Sequence, residues 1–129
     1  MPRFDSNNVK ELREYIYNNS YAHDAIIENI IYNFGTNLVV VELLNPFFNI
    51  RSSITFCNID VALAIKGSEY GSNDTIVSLT VEEDYSYLHN YLSERSVRVE
   101  NSIYILFQMF SGSEMHIVAK DVIVEAAKR

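Results

Sequence analysis

The chain is poor in the residues that build the commoner kinds of catalytic and stabilising site. Its 129 residues include one cysteine, no tryptophan, two prolines and four glycines. The single cysteine, Cys57, excludes an internal disulfide and suits a reducing compartment, so we predict a cytoplasmic protein. Four scattered glycines cannot form a phosphate-binding loop, and neither a Walker motif nor the Gly-x-Ser-x-Gly motif of serine hydrolases occurs.

Long apolar runs are also missing. No stretch approaches the roughly 18–20 apolar residues that a membrane helix needs, because Glu42 interrupts the run between Leu38 and Leu44. The opening residues, Met-Pro-Arg-Phe-Asp, contain no apolar signal region. The sequence therefore predicts neither a membrane segment nor a secretion signal.

Acidic side chains outnumber basic ones. The formal net charge is −7, and residues 14–94 contain eleven acids against two bases. Such a field repels phosphate backbones, so nucleic-acid binding is disfavoured. It either keeps the protein soluble or attracts a basic protein partner.

The apolar content predicts one folded domain that spans residues 1–129. Hydrophobic residues make up 48% of the chain, which is enough for a single core at this length. Helical spacing of apolar residues predicts a leading helix at 5–18, with Asn8 and Glu11 as a candidate capping box. Asp5 and Ser6 are alternative caps for this helix.

Residues 22–125 are expected to form an antiparallel β body. Alternating or β-branched segments predict strands at 24–33, 36–44, 50–57, 61–65, 75–81, 97–109 and 115–125. The first of these segments also fits a helix, and residues 85–94 fit a short helix or an irregular crossover. A change of apolar phase in the last strand predicts a bulge near Asp121. The predicted fold is mainly β with an N-terminal helix, an antiparallel sandwich or partly open barrel of about six to seven strands.

One acidic, tyrosine-rich segment is the best candidate for a binding surface. It contains Glu82, Glu83, Asp84, Tyr85, Tyr87 and Tyr91. If exposed, these side chains make an amphipathic contact surface, since Tyr is enriched at the centres of interfaces. If buried, the tyrosines are ordinary core residues whose hydroxyls reach water.

The histidines do not predict a metal centre. A metal needs several ligands that converge, and the candidates are only His23, Asp24, His89 and His116. His23 and Asp24 are neighbours, and neighbouring residues on a strand point to opposite faces. We therefore predict no metal, no other cofactor and no catalytic residue.

Four segments carry a resemblance to a group of known proteins. They are residues 21–27 (YAHDAII), 38–43 (LVVVEL), 54–59 (ITFCNI) and 115–122 (MHIVAKDV). Together they resemble small β-rich bacterial domains, some of which are described as immunity proteins of toxin systems. The resemblance implies inhibition of a toxin and supplies no catalytic residues. It does not extend to the leading helix or to residues 82–94.

Three functional hypotheses follow in order of preference. The first is a non-enzymatic protein-interaction module, such as an immunity-like inhibitor that binds a basic protein. The second is a small-ligand-binding β-domain with an apolar pocket. The third is a metal-dependent enzyme that uses His23, Asp24, His89 or His116. A homo-oligomer is compatible with each of them, because exposed strand edges invite pairing.

Overall fold

The computed structural model describes residues 3–19, 24–65, 75–86, 88–89 and 101–128. Within them lie one helix, α1 (Val9–Asn19), and seven strands. The strands are β1 (Arg3–Asp5), β2 (Ile26–Asn33), β3 (Leu38–Asn45), β4 (Ile50–Ile65), β5 (Ile76–Glu82), β6 (Ile103–Met109) and β7 (Glu114–Lys128). The strand interpretation of residues 24–33 is therefore confirmed, and the helical alternative is wrong.

The leading helix begins later than predicted. A 3-10 turn at Ser6–Asn8 precedes α1, and residues 3–5 form a short strand instead of helix. Asp5 caps the turn by accepting a hydrogen bond from the backbone N–H of Asn7, at 2.8 Å. The Asn8 side chain accepts one in return from the N–H of Asp5, at 2.6 Å. The capping box thus joins Asp5 and Asn8, because the chain is still turning where Asn8 and Glu11 were expected to cap.

All seven strands belong to one antiparallel sheet. Its order is β2-β3-β4-β7-β6-β5, and β1 pairs with β7. β4 pairs along most of β7, while β6 and β1 pair with the first and second parts of β7 respectively. β1 and β6 therefore lie end to end on the side of β7 away from β4. The sheet is open, with β2 and β5 as its edges.

β4 and β7 form the long central pair of the sheet. The two segments predicted separately at 50–57 and 61–65 are one strand of 16 residues, with a register shift between Ile59 and Val61. The predicted bulge near Asp121 is thus misplaced, since the shift leaves the extra residue, Asp60, on β4. Asn58 adopts a left-handed backbone with φ of 56°, a conformation that asparagine tolerates. The change of phase in β7 is nonetheless real, because Ala119 and Val122 pack in the same cluster.

Most of the core lies on one face of the sheet, which we call the inner cluster. α1 packs Leu12 into it, and the Phe56 and Phe107 rings meet edge to face at 6.3 Å. Each of these side chains is fully buried. Alternation explains the arrangement: β3 buries Val39, Val41 and Leu43 and leaves the residues between them half-buried.

A smaller outer cluster lies on the opposite face, over β4, β6 and β7. Its buried members are Val61, Leu88, Tyr104, Leu106 and Val118. β6 is therefore buried on both faces, with Ile103, Ile105 and Phe107 in the inner cluster as the alternation predicted. Leu88 belongs to a helical turn after β5, in which the His89 N–H donates to the Tyr85 carbonyl at 2.9 Å. This turn covers the outer face beside the edge strand β5.

The fold class predicted from sequence is confirmed. The protein is mainly β with one N-terminal helix, and its strands form a single open sheet rather than two stacked sheets or a closed barrel. A tight turn at 111–113 joins β6 to β7, with Gly112 in the left-handed region at φ of 87°. Across the described ranges, no helix combines the length and the apolar character needed to cross a membrane.

Candidate acidic site on the outer face

An acidic cavity opens on the outer face of the β5-β6-β7 end of the sheet. It has a volume of about 310 Å³. Its lining among the described residues is Glu82, Asp84, Tyr104, Leu106, Gln108 and Glu114. Strand pairing sets the spacing of these side chains, because Glu82 lies opposite Tyr104 and Gln108 lies opposite Glu114. The result is three carboxylates from two strands and one loop around a shared space.

A buried phenol and imidazole form the floor beneath this cavity. The Tyr104 hydroxyl lies 2.6 Å from Nδ1 of His116, and both side chains are almost fully buried. Nε2 of His116 lies 3.4 Å from a carboxylate oxygen of Glu114. His116 thus has a polar neighbour at each ring nitrogen, and its ring is buried away from solvent. Its position fixes both Tyr104 and Glu114 at the cavity wall.

The predicted acidic segment divides between two sides of the sheet edge. Glu82 and Asp84 line the cavity, whereas Glu83 pairs with Arg13 of α1 at 3.2 Å. Asp84 accepts a hydrogen bond from the Ser86 N–H at 2.8 Å. The Ser86 hydroxyl, this N–H and the nearby His89 together lower the pKa of Asp84, outweighing its slight desolvation. Asp84 therefore keeps its negative charge at the cavity rim to a lower pH than an ordinary aspartate does.

Tyr85 holds the segment after β5 against the sheet. Its ring meets the Tyr104 ring edge to face at 5.2 Å, and its hydroxyl donates to the Ser102 carbonyl at 3.3 Å. Burial, and secondarily the negative charge of Asp60, raise the pKa of Tyr85. Asp60 in turn pairs with Lys120 at 3.1 Å. Tyr85 is therefore a half-buried anchor for this segment.

Of the other predicted residues that the structure describes, Asp24 and His89 are not among those that line the cavity. Tyr87, Tyr91 and His23 lie outside the described residues. Asp24 lies in the turn before β2 and has a left-handed backbone conformation, with φ of 64°. His89 is exposed beside Tyr85. In the described part of the chain, no three His, Cys, Asp or Glu side chains are placed to hold a metal ion.

The chemistry of the cavity suits binding of a cation. Carboxylates and the Gln108 amide offer hydrogen-bond acceptors, and Leu106 offers an apolar wall. Neither a serine nor a cysteine is among the described residues that line the cavity. Cys57 lies half-buried in the central strand β4. An ammonium or guanidinium group would find several charged acceptors here.

Sequence reasoning missed the half of the site that β6 and β7 contribute. The hairpin turn at 111–113 could have placed Gln108 opposite Glu114, because a tight turn fixes the register of its strands. The pairing of β5 with β6 could not be found in the same way. These strands are separated by residues 83–102, so no short turn sets their register.

Comparison with known proteins shows a similarity in fold. No family model matches the chain, and no curated protein matches it in sequence. The structure is similar to the crystal structure of an uncharacterized protein from Neisseria gonorrhoeae, with a TM-score of 0.53 and 14% sequence identity. The similarity covers 80% of this chain and 91% of that one. At this identity, the chain shares an architecture with the Neisseria protein, and the comparison extends to the fold alone.

Proposed function

We propose that the protein is a non-enzymatic interaction module that receives a basic side chain of a partner protein in the acidic cavity. The observation that carries this proposal is that Glu82, Asp84 and Glu114 all line one cavity. A lysine or arginine of a partner would find a charged acceptor in any of these carboxylates. Arginine fits best, since its planar fork can contact two carboxylate oxygens at once.

The charge of the whole chain supports the same kind of partner. Residues 14–94 have nine more acids than bases, so their field extends the attraction beyond the cavity itself. A basic protein would be drawn toward this field, and the cavity would fix its orientation. An immunity-like inhibitor of a basic toxin is one protein of this type, in keeping with the resemblance in sequence to small bacterial domains.

The test is affinity capture from the native cell extract at low and high salt, with mass spectrometry of the retained proteins. The wild type is compared with the double variant Glu82→Gln/Asp84→Asn. The matched control is Glu11→Gln/Glu14→Gln, which removes the same charge from exposed residues of α1. We expect one basic protein to be retained by the wild type and the control, and to be lost from the cavity variant and at high salt.

Two results would contradict the proposal. Retention that is equal in the cavity variant and the wild type would place the interface elsewhere. Equal loss from both variants would mean that net charge alone attracts the partner, without a role for the cavity.

A second candidate function uses the same cavity for a small cationic ligand. The volume of about 310 Å³ lies at the low end for ligand sites. A thermal-shift screen of amines and guanidines separates the two candidates. Stabilisation of the wild type, but not of Glu82→Gln/Asp84→Asn, would favour the small ligand.

A further inference from the structure

Within the described part of the chain, most of the backbone edge of β2 that faces away from β3 has no partner strand. Its only described neighbour there is the start of β5, through the bridge between Ile26 and Thr75. The Asp24 N–H donates to the Ile76 carbonyl and the Ile76 N–H donates to the Ala25 carbonyl, each at 2.9 Å. These contacts end where β2 begins. From residue 27 to 33, no described strand pairs with the outer edge.

This edge is apolar, in contrast to the protected edges of most sheets. Four large apolar side chains on β2 and its turn are exposed: Ile30 (47%), Ile31 (45%), Tyr32 (41%) and Phe34 (86%). Edge strands usually carry lysine, proline or inward-pointing charges that prevent pairing. β2 has neither lysine nor proline, and its one charge, Glu28, pairs with Arg51 at 3.3 Å.

The irregular part of β2 lies at its beginning. The register with β3 shifts between Ile27 and Asn29 and is regular from Asn29 to Asn33. The regular part contains five residues and no charge. It is therefore a regular and uncharged pairing surface in a protein of net charge −7.

We propose that β2 pairs with β2 of a second copy of this chain, antiparallel about a two-fold axis at Ile31. In this register Ile31 faces Ile31 of the second copy. Ile30 faces Tyr32, and Asn29 faces Asn33, each pair occurring twice. An aromatic residue opposite a β-branched one is a favourable cross-strand pair, and two asparagines can exchange amide hydrogen bonds.

The charge distribution favours a second copy over an unrelated strand. Glu28 lies outside the five-residue ladder, so the register places no like charges opposite one another. The apolar sequence is also self-complementary about its centre, as a two-fold interface requires. An unrelated strand would have to match this pattern by chance.

The faces of the two sheets also match. Ile30 and Tyr32 lie opposite Val41 and Val39 of β3, which are buried in the inner cluster. A two-fold axis perpendicular to the sheet keeps the inner face of both copies on one side. The exposed parts of Ile30 and Tyr32 would then be covered by their counterparts.

The test is sedimentation velocity of the whole chain, from micromolar to submillimolar concentration. We expect the wild type to reach twice the chain mass of 14.8 kDa. Ile31→Lys should raise the dissociation constant of the dimer by about tenfold or more, because two like charges then face one another. Thr80→Lys is the matched control, since it adds the same charge to an exposed residue of the other edge strand, β5, and should leave the dimer intact.

A mixing experiment tests the register. Ile31→Lys and Ile31→Glu should each be monomeric alone and should form a heterodimer when mixed, because opposite charges then meet at the axis. Wild type that stays monomeric at every concentration would overturn the proposal, and the edge would then be free for a strand of another protein. Equal effects of Ile31→Lys and Thr80→Lys, or no heterodimer on mixing, would overturn the β2 interface or its register.

Discussion

The two edge strands of the sheet differ in what contacts their backbone hydrogen-bonding groups. At the β5 edge, the Arg13 guanidinium donates to the Val81 carbonyl at 3.0 Å and pairs with Glu83. Helix α1 and the turn that contains Leu88 lie against this end of the sheet. At the β2 edge, the regular part of the strand has apolar side chains and no charge. Among the described residues, the β5 edge is thus covered and acidic, whereas residues 29–33 of β2 carry no charge and pair with no strand on the side away from β3.

This difference indicates that a single sheet can offer two unlike surfaces. The β5 end presents carboxylates at a cavity with fixed walls, which suits a basic side chain. The β2 end presents backbone groups and exposed isoleucines, which suits another strand.

Of the changes that compare the two ends, Leu88→Ala should be the most destabilising. Leu88 is fully buried in the outer cluster, so truncation should lower the free energy of unfolding by about 2–5 kcal/mol. The matched change at the β2 end, Ile31→Ala, should cost less than about 1 kcal/mol in the monomer, because Ile31 is 45% exposed. Urea unfolding at low protein concentration measures both. Equal costs would show that the β5 end is not the better packed of the two.

Tyr104→Phe should have the next largest effect. It removes the hydroxyl that lies 2.6 Å from Nδ1 of the buried His116. An unpaired buried polar group costs about 1–3 kcal/mol of stability. Tyr32→Phe, at the exposed β2 edge, is the control and should change stability by less than about 0.5 kcal/mol. Thermal unfolding of both variants is sufficient, and a neutral Tyr104→Phe would refute the structural role of this pair.

Arg13→Gln should have a smaller effect. It removes the donor to the Val81 carbonyl and the ion pair with Glu83. Since the Arg13 side chain is partly exposed, the expected cost is about 1 kcal/mol. Glu83→Gln removes the ion pair alone, and should cost less than about 0.5 kcal/mol at this exposed position. If both variants cost the same in urea unfolding, the carbonyl contact contributes nothing.

The smallest effect concerns the charge at the cavity rim. Ser86→Ala removes the hydroxyl that is the main cause of the lowered pKa of Asp84, so this pKa should rise toward the ordinary 3.8. Because the folded pKa is depressed, the charge on Asp84 is complete above the ordinary value and is lost as pH falls through the lowered one. An NMR titration of the Asp84 carboxyl checks this. An unchanged pKa would assign the shift to the Ser86 N–H and His89 instead.

The sequence predicted the local structure better than the long-range pairing. Alternating and β-branched segments predicted β2, β3, β5 and β7 to within a few residues of their bounds. The Ser-Gly-Ser sequence at 111–113 is a local turn signal of the same kind, and Gly112 has the left-handed backbone that such a turn requires. β1 was missed because three residues are too few to show a period. The pairing of β4 with β7 has no local signal, because about fifty residues separate the two strands.

The candidate site was predicted only in part for the same reason. Glu82 and Asp84 were predicted from the sequence. Glu114 lines the same cavity only because β6 lies between β5 and β7 in the sheet. Nor does the sequence show that Glu83 turns away to Arg13, since this depends on where α1 packs. Tyr85 was predicted as a contact residue. Its packing against Tyr104 depends on how the segment after β5 folds back onto β6, which the sequence does not show.

The most direct test of the account is a map of backbone amide shifts as an arginine-rich peptide is added at low salt. The account predicts that the largest changes cluster at Glu82, Asp84, Gln108 and Glu114 of the acidic cavity, while residues 29–33 of β2 stay unchanged. Changes spread evenly over exposed acids such as Glu11 and Glu125, or centred on β2, would contradict the assignment of the β5 end to a basic partner.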